Sequence, residues 1–288
     1  MRIFITVIFH IFIFGTLVCQ KDNIIYLYKD SSERDRPAMF HFPPKTHSTG
    51  AAVLIFPGGG YQGLAMDHEG FDVANWFAEQ GTTAFVVRYS LGKFDGSGHR
   101  HPDMLNDAKR AMRMVRSNAD TYKILPDLIG VMGFSAGGHL ASTLCTHFDD
   151  GDPNAQEIVE KISCLPNFCI LGYPVIKMKG ENTHWGSRRF LLGPTPKQTD
   201  IDELSNENHV SVATPPTFIF TTSDDKIVPV ENSLAYFSAL KSKGIPAELH
   251  VFEHGDHGKG LLVDDFALKQ WSGLLQNWLI RWKIINIK

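Results

Sequence analysis

The stretch Gly133-Phe134-Ser135-Ala136-Gly137 decides the fold of this chain, because it matches the pattern G-x-S-x-G. The apolar run at 128–132 before it is typical of a buried strand, and residues 138–144 after it are typical of the start of a helix. A serine between such elements lies on a sharp turn that presents its hydroxyl above the end of a sheet. The spacing therefore predicts Ser135 as a nucleophile; the alternative is a small-residue turn between two core elements.

Apolar runs alternate with helical patterns along most of the chain. Because strands that alternate with helices form a mostly parallel sheet covered on both faces, the sequence predicts an α/β fold. The run at 51–56 is apolar at every position, as expected of a strand that is buried on both faces. Strands are predicted at 24–28, 38–42, 51–56, 83–89, 128–132, 168–171, 216–221 and 247–252, and helices at about 68–80, after 103, after 138, at 233–243 and at 265–283.

The 288 residues suit one large α/β domain, and no repeat or linker divides them. Residues 174–213 carry several charges and little periodicity, which indicates an insertion that folds over the site. In the helix predicted after 103, Arg110, Arg113 and Arg116 mark the predicted solvent side. We therefore expect a single domain over 21–288 with an insertion at about 174–213.

The first residues differ from the rest of the chain. Arg2 precedes an apolar stretch at 3–18, and polar residues follow at 20–22, which predicts a signal peptide over 1–20 and an exported protein. The stretch is short for a membrane span and His10 interrupts it, so no stable span is expected after cleavage, although an uncleaved anchor is an alternative. Cys19 leaves open whether a lipid is attached there.

The composition supports a sizeable core, with 43% hydrophobic and 20% charged residues and a net charge of −3. No run of lysine or arginine indicates a nucleic-acid partner. Export would permit disulfides, and Cys164 with Cys169 is one candidate pair, but with Cys145 the number is odd. Buried free thiols are therefore the preferred interpretation.

A serine nucleophile needs a base, and the base needs a third group to orient it. When the serine lies on such a turn between a strand and a helix, the acid and then the histidine follow it along the chain. His257, after the last predicted strand, is the preferred base, with His254 as the alternative. Asp225, after the strand at 216–221, is the preferred acid, with Asp224 as the alternative.

Hydrolysis of an acyl group also requires backbone N–H groups aimed at the oxygen that becomes negative. Ala136 follows the serine directly and supplies one such group. Gly59 and Gly60 follow the central strand at 51–56 and are placed to supply the others. These residues form the predicted oxyanion hole; the alternative is that the glycines only make a tight turn.

His254, Asp256 and His257 are close together in the sequence and form a candidate metal site. No second group of histidines or acidic residues supplies further ligands at a recognisable spacing, and the cysteine spacing does not match a zinc site. The sequence therefore predicts neither a metal nor a cofactor.

The motifs that carry a family resemblance are FPGGGY (56–61), HEG (68–70), RY (88–89), GFSAGGHLA (133–141), GYPV (172–175), Asp225 with VPVENS (228–233), and HG (257–258). Through them the chain resembles α/β-hydrolase fold esterases of the hormone-sensitive-lipase-like group over about 22–283. It is more closely similar to bacterial secreted acetylxylan esterases and bifunctional acetyl and feruloyl esterases. One departure is Pro57, where lipase-type esterases have a histidine that braces the glycine loop, so the bracing must come from elsewhere.

This resemblance implies the α/β-hydrolase fold, a catalytic triad of Ser135, Asp225 and His257, and removal of acetyl groups from an acylated plant polysaccharide such as xylan. Sugar contacts are expected along 185–189. A feruloyl esterase, a general carboxylesterase and a peptidase are alternatives within the fold, although such peptidases usually carry an extra domain that does not fit here. A non-catalytic carbohydrate-binding protein is the alternative from another class, and the presence of all three triad candidates argues against it.

Overall fold

The strands form one sheet in the order β1-β2-β4-β3-β5-β6-β7-β8 in the computed structural model, which describes residues 24–29, 36–93, 98–261 and 265–286. The first two pairings, β1 with β2 and β2 with β4, are antiparallel, and the others are parallel. The predicted signal peptide and Cys19 lie outside the described residues. The strands are β1 Ile24–Tyr26, β2 Ala38–Phe42, β3 Ala52–Phe56, β4 Thr83–Arg88, β5 Ile129–Phe134, β6 Cys169–Gly172, β7 Thr217–Thr222 and β8 Ala247–Phe252.

Helices cover both faces of this sheet. The closing helix is shorter than predicted, because Leu268–Gln270 forms a 3₁₀ turn before it begins. No helix in the described ranges combines the length and the hydropathy needed to cross a bilayer. The helices are α1 Asp72–Glu79, α2 Asp103–Ser117, α3 Ala119–Tyr122, α4 Ser135–Thr146, α5 Trp185–Leu192, α6 Gln198–Glu203, α7 Glu231–Ser242 and α8 Trp271–Arg281.

The buried side chains form two clusters, one on each face of the sheet. Along β3, Leu54 belongs to the cluster that includes side chains of α2, α4 and α7, whereas Val53 and Ile55 belong to the cluster that includes side chains of α1 and α8. Successive side chains of a strand point to opposite faces, so a strand between two helical layers must be apolar throughout. The predicted α/β-hydrolase fold is confirmed.

The sheet also places two loops side by side. The chain leaves β3 for β4 on one side and returns to β5 on the other, so the strand order reverses at this point. Ligands of open α/β sheets bind beyond the carboxyl ends of the strands at such a reversal. Phe56 at the end of β3 pairs with Gly133 near the end of β5, so the glycine loop and the serine turn are neighbours.

The helix predicted at 68–80 is not a single α-helix. Its first turn, Asp67–Phe71, is a π-helical turn, and α1 continues from Asp72. A π turn adds a residue to the turn and is frequent at functional sites. Here Glu69 and Gly70 are buried in it, although a glutamate in a first helical turn usually faces water.

The prediction that Arg110, Arg113 and Arg116 face solvent was wrong. The segment between α4 and β6 crosses this side of α2 and supplies the acceptors for all three guanidinium groups. Arg113, for example, donates to Ile162 O at 2.8 Å and to Glu160 Oε2 at 3.1 Å, and it also pairs with Asp149. Helical periodicity marks a polar face but does not reveal which distant segment covers it.

Arg113→Ala is expected to lower the free energy of unfolding by about 2–3 kcal/mol, because charged hydrogen bonds in a buried setting are lost together. The Arg113 side chain is only 9% exposed. The matched control is Arg281→Ala, whose pair with Glu248 is on the surface and is expected to contribute about 0–1 kcal/mol. Urea unfolding of both variants measures the difference; equal losses would contradict the buried role of Arg113.

The segment predicted as an insertion, 174–213, contains α5 and α6 and is tied to the core by buried amides. Asn206 Nδ2 donates to Ser142 Oγ at 2.7 Å and to Thr143 Oγ1 at 2.9 Å, both on α4. Asn232, at the start of α7, accepts from the backbone N–H groups of Ile176 and Lys177 at 3.0 and 2.9 Å. The segment is therefore anchored at both of its ends.

Cys145, Cys164 and Cys169 are free thiols, and all three are buried. The preferred interpretation is therefore confirmed, and the candidate pair of Cys164 with Cys169 is not formed.

Candidate active site

Ser135 occupies the turn between β5 and α4 and has a φ of +51°. Residues other than glycine rarely adopt this region, so the surrounding packing must hold the strain. Two glycines allow the turn. A Cβ at Gly137 would overlap the carbonyl oxygens of Phe56 and Pro57, and one at Gly133 would overlap the backbone of Gly137. The sequence pattern therefore reflects close backbone packing around the serine.

A continuous chain of hydrogen bonds links Ser135 to a histidine and an aspartate. His257 Nε2 lies 2.8 Å from Ser135 Oγ, and His257 Nδ1 lies 2.6 Å from Asp225 Oδ2. A carboxylate beside Nδ1 fixes the proton there, which leaves Nε2 as an acceptor for the serine hydroxyl. The structure therefore brings together the three side chains chosen from the sequence.

The second oxygen of Asp225 fixes the orientation of the carboxylate. Asp225 Oδ1 accepts hydrogen bonds from the backbone N–H groups of Ile227 and Val228 at 2.8 and 3.0 Å. The side chain is buried in the turn after β7. Oδ2 is therefore held toward His257.

The alternative pair, His254 and Asp224, is formed on the surface instead. His254 Nδ1 lies 3.1 Å from Asp224 Oδ2, and the His254 side chain is 68% exposed. The hydrogen bond to Asp224 raises the pKa of His254 and lowers the pKa of Asp224. Neither residue takes part in the hydrogen-bond chain that ends at Ser135.

The glycine loop that carries two of the predicted oxyanion donors lies against the serine turn. A Cβ on Gly58 would be 3.0 Å from Ser135 Cβ, so the glycine loop faces the turn. Gly59 and Gly60 have φ values of +134° and +65°, which favour glycine. Among the described residues, no acceptor is found for the N–H groups of Gly59, Gly60 or Ala136. The three N–H groups predicted for the oxyanion hole therefore have no acceptor among the described residues.

Two tyrosines supply part of the bracing that Pro57 cannot. Tyr89 Oη donates to the Pro57 carbonyl oxygen at 2.6 Å. Tyr61 Oη lies 2.8 Å from His139 Nδ1, and His139 Nε2 lies 2.8 Å from the Leu204 carbonyl oxygen. Burial lowers the pKa of His139 to about 4, so the neutral ring donates to Leu204 and accepts from Tyr61. The glycine loop is thereby fixed at both ends.

A buried glutamate, Glu69, also braces the glycine loop. Glu69 is 2% exposed; its Oε2 accepts from the Gly58 N–H at 2.7 Å and its Oε1 accepts from Tyr173 Oη at 2.7 Å. Burial raises the pKa of Glu69, against the opposing effect of these hydrogen bonds. The Tyr173 ring meets the His257 ring edge to face, with centroids 4.9 Å apart.

In the sequence, Glu69 and Tyr173 lie within the motifs that carry the resemblance, and no role is predicted for either. A glutamate in a helical turn is usually solvated, so its type alone gave no signal.

Another side chain that the sequence missed lies at the edge of the site. His184 precedes α5, and its Cε1 is 4.0 Å from where a Cβ on Gly60 would stand. Burial and the nearby His257 lower the pKa of His184. His184 Nδ1 accepts from the Ser187 N–H at 3.3 Å, so the proton lies on Nε2. Trp185, the next residue, is 60% exposed.

The three residues of the candidate metal site do not converge on one point. His254 pairs with Asp224, and Asp256 pairs with Lys259 at 3.2 Å. Across the described ranges, no group of three histidine, cysteine or acidic side chains is arranged to hold a metal ion.

Comparison with known proteins gives the family. The BD-FAE family matches residues 40–240, which is more than half of the chain. The chain belongs to the BD-FAE family. It is also 39% identical over 248 residues to endo-1,4-beta-xylanase B of Butyrivibrio fibrisolvens and 36% identical over 255 residues to an acetylxylan esterase of Xylanibacter ruminicola. Each alignment covers 86% of this chain but only 36% and 49% of those relatives, so the chain spans half of their length or less.

A solved structure supports the same kinship. The acetyl ester-xyloside bifunctional hydrolase from Caldicellulosiruptor lactoaceticus superposes with a TM-score of 0.86 at 41% identity, covering 91% of this BD-FAE chain and 97% of that one. The resemblance drawn from the motifs is thereby confirmed, and this BD-FAE chain has the α/β-hydrolase fold.

Proposed function

We propose that this BD-FAE protein removes acetyl groups from acetylated xylan or its oligosaccharides through Ser135, His257 and Asp225. The observation that carries the proposal is the hydrogen-bond chain from Asp225 through His257 to Ser135. Similarity to an acetylxylan esterase and to an acetyl ester-xyloside hydrolase supports the substrate class.

The first half of the reaction forms an acyl-enzyme. Ser135 Oγ attacks the ester carbonyl carbon while His257 Nε2 takes the hydroxyl proton, and Asp225 stabilises the imidazolium that results. The carbonyl oxygen becomes negative and accepts hydrogen bonds from the N–H groups of Gly59, Gly60 and Ala136. Each such donor contributes about 3–4 kcal/mol to stabilisation of the transition state.

The second half regenerates the serine. The imidazolium of His257 protonates the sugar oxygen as its bond to the acyl carbon breaks, and the deacetylated sugar leaves. A water molecule then gives a proton to His257 Nε2 and attacks the acyl carbon. Collapse of this second tetrahedral intermediate releases acetate and returns the proton to Ser135. The cycle consumes one water and needs no cofactor.

Two substrates with different acyl groups test this proposal. Purified protein is incubated with acetylated xylan and with feruloylated arabinoxylan, and the released acetate and ferulate are quantified. We expect acetate to be released with a kcat/KM at least tenfold above that for ferulate. Preferential release of ferulate would show that the feruloyl group, and not the acetyl group, is the acyl group removed. If the protein turned over neither polymer nor 4-nitrophenyl acetate, esterase activity would be excluded.

The outer surface beside the site supports a sugar-binding role for Trp185. Its exposed ring lies at the start of α5, next to His184, and the Arg188 guanidinium carbon is 4.7 Å from the ring centroid. An exposed aromatic ring held by a neighbour offers a flat apolar face, which suits the C–H groups of a sugar.

Trp185→Ala is expected to raise KM for acetylated xylo-oligosaccharides by about 3- to 10-fold, because one stacking contact is lost. Turnover of 4-nitrophenyl acetate should stay within twofold of wild type, since that substrate carries no sugar. Trp282→Ala, a half-exposed tryptophan beyond the end of α8, is the matched control. Equal losses on both substrates would assign Trp185 a structural role only.

We also propose that the protein is exported, because Arg2 and the apolar stretch at 3–18 have the pattern of a signal peptide. N-terminal sequencing of the protein recovered outside the cytoplasm of its host tests this, with cleavage expected near residue 20. A chain that keeps Met1 and stays in the cytoplasm would exclude it.

A further inference from the structure

We propose that Glu69 is a positioning residue of the esterase reaction. One oxygen of its carboxylate holds the loop that supplies the oxyanion donors, and the other holds, through Tyr173, the loop that carries His257. The inference rests on the proposed function, because it assigns a role within that same site. Glu69 is not given contact with the substrate.

The first connection fixes the glycine loop. Glu69 Oε2 accepts from the Gly58 N–H at 2.7 Å. Gly58 comes directly before Gly59, so this bond sets the starting point of the two residues that offer free N–H groups. The space is also tight, since a Cβ on Gly58 would lie 2.6 Å from Glu69 Oε2. A shift of the carboxylate would therefore move the oxyanion donors.

The second connection reaches the histidine. Tyr173 Oη donates to Glu69 Oε1 at 2.7 Å and accepts from the Gly260 N–H at 2.8 Å. Gly260 lies three residues after His257, in the same loop, and the Tyr173 ring packs against the imidazole. The hydroxyl thus holds the backbone of the loop while the ring limits the tilt of the base.

The energetics favour a role beyond packing. A buried carboxylate costs free energy unless its oxygens are hydrogen-bonded, and an apolar side chain could fill the same volume without that cost. Both oxygens of Glu69 are used, and each bond leads to a different half of the reaction site. The π turn at Asp67–Phe71 is the local feature that places this side chain inward.

The test compares Glu69→Gln, Glu69→Ala and Tyr173→Phe with wild type on 4-nitrophenyl acetate. We expect Glu69→Ala to lower kcat by about 100-fold with KM within threefold, because a misplacement of about 1 Å at the reacting groups has an effect of this size. Glu69→Gln keeps an oxygen for the Gly58 N–H, so its kcat should be at least tenfold higher than that of Glu69→Ala. Tyr173→Phe should lower kcat by about tenfold.

Two further measurements separate positioning from folding. The double variant Glu69→Ala with Tyr173→Phe should lose less than the product of the single losses, because both act along one path. Thermal unfolding reports the folded fraction of every variant. Glu79→Ala, at the exposed end of α1, is the matched control and should keep wild-type kcat.

The outcomes distinguish this inference from the proposed function. If wild type turns over and Ser135→Ala does not, yet folded Glu69→Gln and Glu69→Ala keep wild-type kcat, positioning by Glu69 is excluded and the triad stands. If Ser135→Ala is as active as wild type, the proposed function fails. Should Glu69→Ala fail to fold, Glu69→Gln and Tyr173→Phe decide, and full kcat in both would exclude the role.

Discussion

Ser135→Ala is expected to lower kcat for 4-nitrophenyl acetate by about 10⁵- to 10⁶-fold, the range seen when the nucleophile of a triad is removed. The substitution deletes one oxygen, whose hydrogen bond goes to His257 Nε2. Since alanine keeps the Cβ and the turn geometry, the fold should be unaffected. Circular dichroism and thermal unfolding check this beside the kinetics.

The residual rate of Ser135→Ala carries information as well. The proposed donors at Gly59, Gly60 and Ala136 remain in place, so the variant should still exceed the uncatalysed rate by about 10³-fold through these donors and substrate binding. Ser242→Ala, at the exposed C-terminal end of α7, is the matched control and should be fully active. Activity in Ser135→Ala near that of wild type would exclude the proposed mechanism.

Asp225→Asn is expected to lower kcat by about 10⁴-fold at neutral pH, because the histidine is held in the wrong tautomer. The local geometry forces this result. Asp225 Oδ1 accepts two backbone hydrogen bonds, so in the variant the amide oxygen must occupy that place. The amide NH₂ group then faces His257 Nδ1 and donates to it, which moves the ring proton to Nε2. A protonated Nε2 cannot accept the proton of Ser135.

The neighbouring aspartate is a stringent control for this prediction. Asp224→Asn changes the same atoms one residue earlier, in the exposed pair with His254. Its kcat should stay within twofold of wild type, and its kcat/KM should have the same pH dependence. A large loss in Asp224→Asn with little loss in Asp225→Asn would show that the other pair serves the serine.

The sequence predicted the residues around Ser135 because their chemistry is local or follows a fixed order. A serine between glycines, after an apolar run, can form only a few kinds of turn, and the order serine, acid, histidine follows from strand succession. The unbroken apolar run of β3 likewise predicts that the strand is buried on both faces. These features need no knowledge of distant partners.

Other features depended on contacts between distant parts of the chain. Arg113 occupies a polar position of α2, and only the path of residues 149–162 buries it. Glu69 is separated from Tyr173 by 104 residues, so no local pattern relates them. Helical periodicity also does not distinguish a π turn from an α turn, and the inward orientation of Glu69 depends on that difference.

The anchoring of residues 174–213 limits how this scaffold can be re-engineered. A chimera that exchanged the whole segment for that of another esterase would remove the Asn206 side chain from Ser142 and Thr143 and replace the backbone that places the Leu204 carbonyl on His139. His139 in turn holds Tyr61 next to the proposed oxyanion donors, so we expect a swap meant to alter selectivity to disturb catalysis as well. Redesign of substrate preference should therefore vary the exposed face of α5 and leave the residues around Asn206 unchanged.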